Sequence, residues 1–138
     1  MQHNPVILDK FYLFSTDLRR WKNIIFLDSD IIVRGPLDKL ANIKGFAAVK
    51  AKMKFRELFD KVILPDKEKR KPYNPKNKTF NSGLIAFSSD IIADNTLDTL
   101  LQLYDKYKNN SLYNEESILN LYFYEKWKEV PIVYNYVI

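Results

Sequence analysis

Residues 24–33 read Ile-Ile-Phe-Leu-Asp28-Ser29-Asp30-Ile-Ile-Val, an apolar run that stops at two carboxylates spaced i, i+2 and then resumes. Continuous Ile, Leu and Phe in place of alternation predicts a buried strand of the parallel-sheet kind. We expect residues 24–27 to form the central strand, with Asp28 and Asp30 at its exposed C-terminal end, where open α/β sheets place their ligands. Two carboxylates are expensive to bury unpaired, so a hard cation bridging them to phosphate oxygens explains the spacing simply. The plain structural alternative is a turn in which both side chains cap and solvate the chain.

The remaining pattern alternates short strands with helices. Residues 6–18 are ambiguous, although Lys10, Phe11, Leu13, Phe14 and Leu18 would share one helical face. Pro36 to Leu40 predicts a short helical turn, residues 45–49 a second strand and residues 53–59 a short helix. Residues 79–88 form the clearest later strand, entered through Asn81-Ser82-Gly83. Asn95 reads as the cap of a helix whose apolar face is Leu97, Leu100, Leu101, Tyr104 and Tyr107. Another helix starts near Asn114 and carries Ile118, Leu119, Leu121 and Tyr122, and a strand-like piece follows from Trp127 to Val133. The aromatic residues at helical spacing are expected in the core. The prediction is one α/β domain with a mixed sheet, in which residues 84–87 join residues 24–27 and the helix from about residue 95 packs against them.

Composition narrows the class. At 138 residues the chain fits one domain, and 46% hydrophobic residues with three Gly and six Pro is a globular composition. No apolar stretch approaches the roughly 20 residues needed to span a bilayer, no leader pattern opens the chain, and a cytoplasmic location is expected by default. With no cysteine, disulfide scaffolds and thiolate metal sites are excluded. The net charge of +5 is mild, and it is concentrated: Lys67, Lys69, Arg70, Lys71, Lys76 and Lys78 stand against one acid, Glu68, in a stretch broken by Pro72 and Pro75. That stretch predicts an exposed loop. With a single aromatic, Tyr73, it lacks the stacking platform of a nucleic-acid site, and no nucleic-acid partner is expected.

Four segments in order resemble the family 8 retaining nucleotide-sugar glycosyltransferases, the group of glycogenin-like enzymes and bacterial lipopolysaccharide glucosyl- and galactosyltransferases. The first is the run from Ile24 through Asp28-Ser29-Asp30 to Val33 with Gly35-Pro-Leu37-Asp38-Lys-Leu40, similar to the family's Asp-x-Asp segment. The second is Phe80-Asn81-Ser82-Gly83-Leu84. The third is Asn114-Glu115-Glu116-Ser117-Ile118-Leu119-Asn120, similar to Asp-Gln-x-x-Leu-Asn, and the fourth is Trp127 with Pro131 and Tyr134-Asn135. The likeness extends from about Lys10 to the end.

The resemblance implies a partial GT-A-like fold, with a mixed central sheet flanked by helices. It also implies metal-dependent transfer of a hexose from a UDP-sugar to a carbohydrate or glycan acceptor, with retention of configuration. Asp28 and Asp30 would hold Mn²⁺ or Mg²⁺ against the donor diphosphate. Lys10 would approach the donor, and Asn81 and Ser82 would line the sugar pocket. Gly83 would allow a close backbone approach. Glu115 falls where the family has an aspartate near the reacting sugar, and Glu116 falls on the following glutamine. Both acids also suit the first turn of a helix, which is the reading preferred for Glu116.

The family's opening βα segment and its closing His-x-x-Gly-x-x-Lys motif have no counterpart in these residues. The lone histidine, His3, has nothing to support it as a ligand. The chain is therefore expected to be an incomplete transferase domain over residues 1–138, with uncovered sheet edges that favour self-association. Two other readings stand beside this one: a weak or inactive remnant of the same fold, and a haloacid-dehalogenase-like phosphatase with Asp28 as nucleophile.

Overall fold

A computed structural model of the chain describes residues 8–60 and 73–136. His3 and residues 61–72, with Lys67, Lys69, Arg70 and Lys71 of the basic stretch, lie outside the described residues. The chain builds a four-stranded mixed sheet from β1 (Asn23–Leu27), β2 (Phe46–Lys54), β3 (Lys78–Ser88) and β4 (Lys128–Val130), in the order β1-β3-β2-β4. β3 pairs antiparallel with β1 on one side and β2 on the other, and β4 runs parallel to β2. Helices α1 (Thr96–Tyr107) and α2 (Asn114–Tyr122) connect β3 to β4.

The strand expected at the centre is instead at the edge of the described sheet, and its one partner is antiparallel. The apolar run reflects two-sided cover, which does not depend on the partner's direction. Ile24 and Phe26 pack into one hydrophobic cluster, Ile25 and Leu27 into another. The helices cover the first face. There Phe14 stacks on Phe87, Phe46 lies flat on Phe123 with centroids 3.9 Å apart, and Leu100, Ile118 and Leu119 close the cluster. Among the described residues no α-helix covers the second face. Ile31, Leu37, Leu40, Ile43 and Tyr134 cover Ala47, Val49, Leu84 and Ala86 there.

Local chemistry explains several departures from the sequence pattern. The described part of the 6–18 region forms two 3₁₀ turns, Asp9–Phe14 and Thr16–Arg20, with Phe11 and Phe14 buried three apart as that geometry requires. The helix expected over 53–59 is a 3₁₀ turn at Phe55–Leu58, because β2 continues to Lys54. Asn95 does precede α1, but its side chain makes no cap bond. Thr96 Oγ1 accepts from the Ala93 amide at 2.8 Å instead. The last strand is only Lys128–Val130, and Pro131 ends it before a 3₁₀ turn at Ile132–Tyr134. Gly45, at φ +79°, makes the turn into β2 that a side chain would strain.

Asn81-Ser82-Gly83 is not the beginning of β3 but an interruption within it. Along β2, Ala48 faces Ile85 and the next residue, Val49, faces Asn81, so Ser82, Gly83 and Leu84 have no counterpart on β2. β3 nonetheless stays paired with β1 through Leu84. This bulge resets the alternation. Phe80, Ile85 and Phe87 share one cluster although Phe80 is an odd number of residues from the other two, a spacing that a regular strand sends to opposite faces.

Phe46 is 2% exposed and meets Phe123, Phe80 and Phe14. Phe46→Ala should cost about 3–5 kcal/mol in urea unfolding. A loss under about 1 kcal/mol would show that this aromatic stack is not the core.

Candidate functional site

The bulge and the end of β1 bring together most of the residues singled out by the sequence. Phe11 and Phe14 anchor the turn that carries Lys10, whose side chain is 9% exposed. Its ammonium lies 3.0 Å from Asp28 Oδ1 and 3.2 Å from both the carbonyl and the hydroxyl oxygen of Ser82. Three donors therefore meet three acceptors, which offsets the cost of removing a cation from water. Glu115 Oε1 is 3.8 Å away, and the Phe26 ring lies 5.1 Å beneath the ammonium. Lysine can only donate, so the Ser82 hydroxyl accepts from Lys10 and gives its own proton to Glu116 Oε2 at 3.1 Å. The same Glu116 oxygen accepts the Ser82 amide at 2.9 Å.

Glu116 thus does more than favour a helix N-terminus. Both acids sit in the first turn of α2, as expected, but Glu116 turns inward and satisfies the bulge. Burial raises its pKa. The two Ser82 hydrogen bonds and the Lys10 charge oppose that rise, and the Glu115 charge adds to it. One turn on, the Asn120 amide exchanges two 3.0 Å hydrogen bonds with the backbone of Phe80 and donates a third, at 2.9 Å, to the Glu116 carbonyl. Its i, i+4 spacing from Glu116 was the available signal for this pairing.

Gly83 is where the polar groups close in. A Cβ there would lie 2.9 Å from Asn81 Oδ1 and 3.3 Å from both Asn135 Nδ2 and Asp28 Oδ2. The close approach is thus made, in this chain, by its own side chains. Asn81 Oδ1 accepts from the Gly83 amide at 2.9 Å and from Asn135 Nδ2 at 2.6 Å. Its oxygen is committed twice, which leaves the NH₂ of Asn81 to serve a ligand. Asn135 joins the site from the far end of the chain. The Tyr134-Asn135 pair marked that segment in the sequence, but nothing there assigned Asn135 a role.

Asp28 and Asp30 are treated differently. The Asp28 amide continues the ladder to Gly83 O at 2.8 Å, and its carbonyl accepts from Ile31 at 3.1 Å, closing a turn over Ser29 and Asp30. Asp28 faces Lys10 and Gly83. Asp30 is exposed and borders a groove of about 940 Å³ between residues 30–39 and 133–136, which Tyr134, Asn135 and Tyr136 also line. Among the described residues, no three His, Cys, Asp or Glu side chains gather as a metal cage. The chemistry of the donor set does suit a hard cation. Asp28 Oδ2 and the Asp30 carboxylate are oxygen donors, and such ions accept few protein ligands when phosphate and water complete the shell.

The model of glycosyl transferase family 8 matches residues 4–138. The chain belongs to that family. Two similar curated proteins are the glycosyltransferases GlyB and GlyF of Streptococcus pneumoniae. Each is 27% identical over 131 residues, which is 93% of this chain but 28% of GlyB and 29% of GlyF. The crystal structure of the S. pneumoniae glycosyltransferase GlyE superposes with a TM-score of 0.66 at 20% identity, over 94% of this chain and 28% of GlyE. The fold is therefore the GT-A-like one, and the family 8 chain spans less than a third of the length of these relatives. Family membership sets the phosphatase alternative aside.

Glu116→Ala would strand the buried Ser82 amide and should cost about 1–3 kcal/mol in urea unfolding. Glu116→Gln keeps an acceptor and removes the charge. With the folded pKa above the unfolded one, the native state holds a proton the unfolded chain has lost, so this group's contribution to stability falls as pH rises through that interval. The Gln variant should flatten that fall and melt above the parent on its alkaline side. Parallel melting curves across the interval would mean that Glu116 is not the titrating group.

Proposed function

We propose that this family 8 chain carries the donor-side core of a metal-dependent transferase that moves a hexose from a UDP-sugar to a glycan acceptor with retention of configuration. What supports the reading best is the meeting of Lys10, Asp28, Asn81, Ser82, Gly83 and Asn135 where β1 ends and β3 bulges, in a chain of this family. Asp28 and Asp30 would hold Mn²⁺ or Mg²⁺ on the diphosphate side, where the ion would supply positive charge to offset that of the departing nucleoside diphosphate. Lys10 fixes the Asp28 carboxylate through Oδ1, leaving Oδ2 for the ligand, and adds positive charge beside the phosphates. Asn81 donates its NH₂ to a sugar hydroxyl. Glu115, at the partly exposed end of the cluster, accepts a hydrogen bond from another. Ser82 acts through Lys10 and Glu116 rather than by touching the donor.

A second reading keeps the fold and gives up the turnover. It is favoured by the lack of a third carboxylate or imidazole near Asp28 and Asp30 among the described residues. Calorimetric titration of the 138-residue chain with UDP and Mn²⁺ separates the two. Metal-dependent binding tighter than about 100 μM, roughly 5.5 kcal/mol, supports the transferase site, and no binding supports the remnant.

Asp28→Asn and Asp30→Asn should each weaken Mn²⁺-dependent UDP binding by about tenfold or more. Asn81→Ala should leave free UDP binding intact and weaken binding of the complete UDP-hexose by about tenfold, the loss of one good hydrogen bond. Unchanged affinity in both aspartate variants would refute the assignment.

A further inference from the structure

The two edges of the described sheet are unlike. On the far side, where β2 projects past β4, its exposed side chains are Lys50, Lys52 and Lys54, a row of charge that keeps other strands from pairing there. β1 carries no such guard. Its residues, Asn-Ile-Ile-Phe-Leu, hold no charge, no proline and no bulge, and each keeps part of its surface in solvent. The Ser89 amide donates to Lys22 O at 3.0 Å, and the Asp28 amide donates to Gly83 O at 2.8 Å. Alternate residues of an antiparallel ladder bond to the same neighbour, so Ile24 and Phe26 turn their N–H and C=O toward β3 with Lys22 and Asp28. Asn23, Ile25 and Leu27 turn theirs outward, where no strand meets them among the described residues.

The sequence along this edge is complementary to itself. Antiparallel pairing with a second copy, about a two-fold axis at Ile25, sets Ile25 against Ile25, Asn23 against Leu27 and Lys22 against Asp28. Asn23, Ile25 and Leu27 are then the hydrogen-bonded positions, so every outward N–H and C=O of the strand finds a partner. The side chains match as well. Ile24 meets Phe26 on the face that α1 and α2 cover, and Ile25 meets its own copy on the other, so both apolar clusters continue across the joint. The exposed Lys22 lies opposite the half-buried Asp28 twice, once on each side of the axis. Trp21, just before the strand, is 57% exposed, and aromatic side chains of this kind are enriched where proteins meet.

We propose that the free edge of β1 is a homodimer interface, at which two copies of this chain pair β1 with β1 about Ile25 and join their four-stranded sheets into one. The proposal does not rest on the donor reading, and its test is run without UDP or metal. Sedimentation equilibrium should show the mass of the 138-residue chain rising from 16.4 kDa toward twice that value over about 1–200 μM, the range of a small interface. Lys22→Glu, a change at an exposed side chain, makes both charge pairs repulsive. It should weaken association by about tenfold or more with an unchanged melting midpoint. The chain has no cysteine, so single thiols read the register. Ile25→Cys brings its two copies face to face, with Cα atoms about 5.5 Å apart, and should give a disulfide-linked dimer in air. Asn23→Cys keeps both charge pairs but holds its two copies about 13 Å apart along the strands, and should not cross-link. A mass that stays at 16.4 kDa would leave this edge to some other strand and overturn the proposal. A mass that climbs past the dimer, equal cross-linking of the two cysteine variants, or undiminished association of Lys22→Glu would overturn it as well.

Discussion

Asn120 holds the structure's two halves in register. Its side-chain amide gives and takes one hydrogen bond each with Phe80, as a residue on a neighbouring antiparallel strand would. It does so where β3 is about to leave its pairing with β2, so a helix side chain meets the strand's backbone polarity as the ladder is about to break. Asn120 is 3% exposed, and breaking such a buried pair leaves a donor and an acceptor stranded at about 1–3 kcal/mol each. Its third bond, to the Glu116 carbonyl, ties the first turn of α2 to the same point. From that turn the Glu116 side chain reaches Ser82, and between Glu116 and Asn120 Ile118 and Leu119 pack into the aromatic cluster.

The bulge held in this way explains how polar groups gather inside an otherwise apolar sheet. A regular strand at residues 82–84 would send alternate side chains to opposite faces. The slipped register puts Ser82 toward α2 and Lys10, and Asn81 toward Asn135. Lys10 is the buried charge, while its partners Asp28 and Glu115 keep 39% and 25% of their side chains in solvent. A cation at the centre with carboxylates at the rim keeps the buried charge compensated while acid oxygens remain at the surface.

Elements with strong local periodicity were legible in the sequence. The strands near residues 24–27 and 79–88, the apolar face of α1 and the start of α2 at Asn114 all stand where the patterns put them, and the sheet is mixed as expected. What failed was long-range. The apolar run of β1 reports cover on two faces and carries no information about its neighbour, so its edge position and antiparallel partner were invisible. The bulge depends on which β2 residue faces which β3 residue, and no local signal fixes that. The site shows the same division. Lys10, Asp28, Ser82 and Gly83 were named as separate positions, but Lys10 and Ser82 are 72 residues apart, and only tertiary register makes them touch. Asn135 was visible only as part of a segment and Asn120 only as a helix position, since an asparagine's use is decided by what lies opposite it.

The unequal cover of the two sheet faces accounts for the division within Asp28-Ser29-Asp30. Helices α1 and α2 pack one face tightly, and the Lys10 cluster is on that side. The other face is covered by residues 31–43 and the 132–134 turn, which are irregular and leave a groove where they meet. The chain crosses from the first environment to the second within the turn closed by Ile31 and Asp28. Asp28, before the crossing, is held by Lys10, and Asp30, after it, borders the groove. The two carboxylates therefore stand on either side of the sheet's end, Asp28 beside Gly83 and Asp30 at the groove that Tyr134 and Asn135 line. Their i, i+2 spacing puts one acid in each environment because the turn between them is where the cover of the sheet changes.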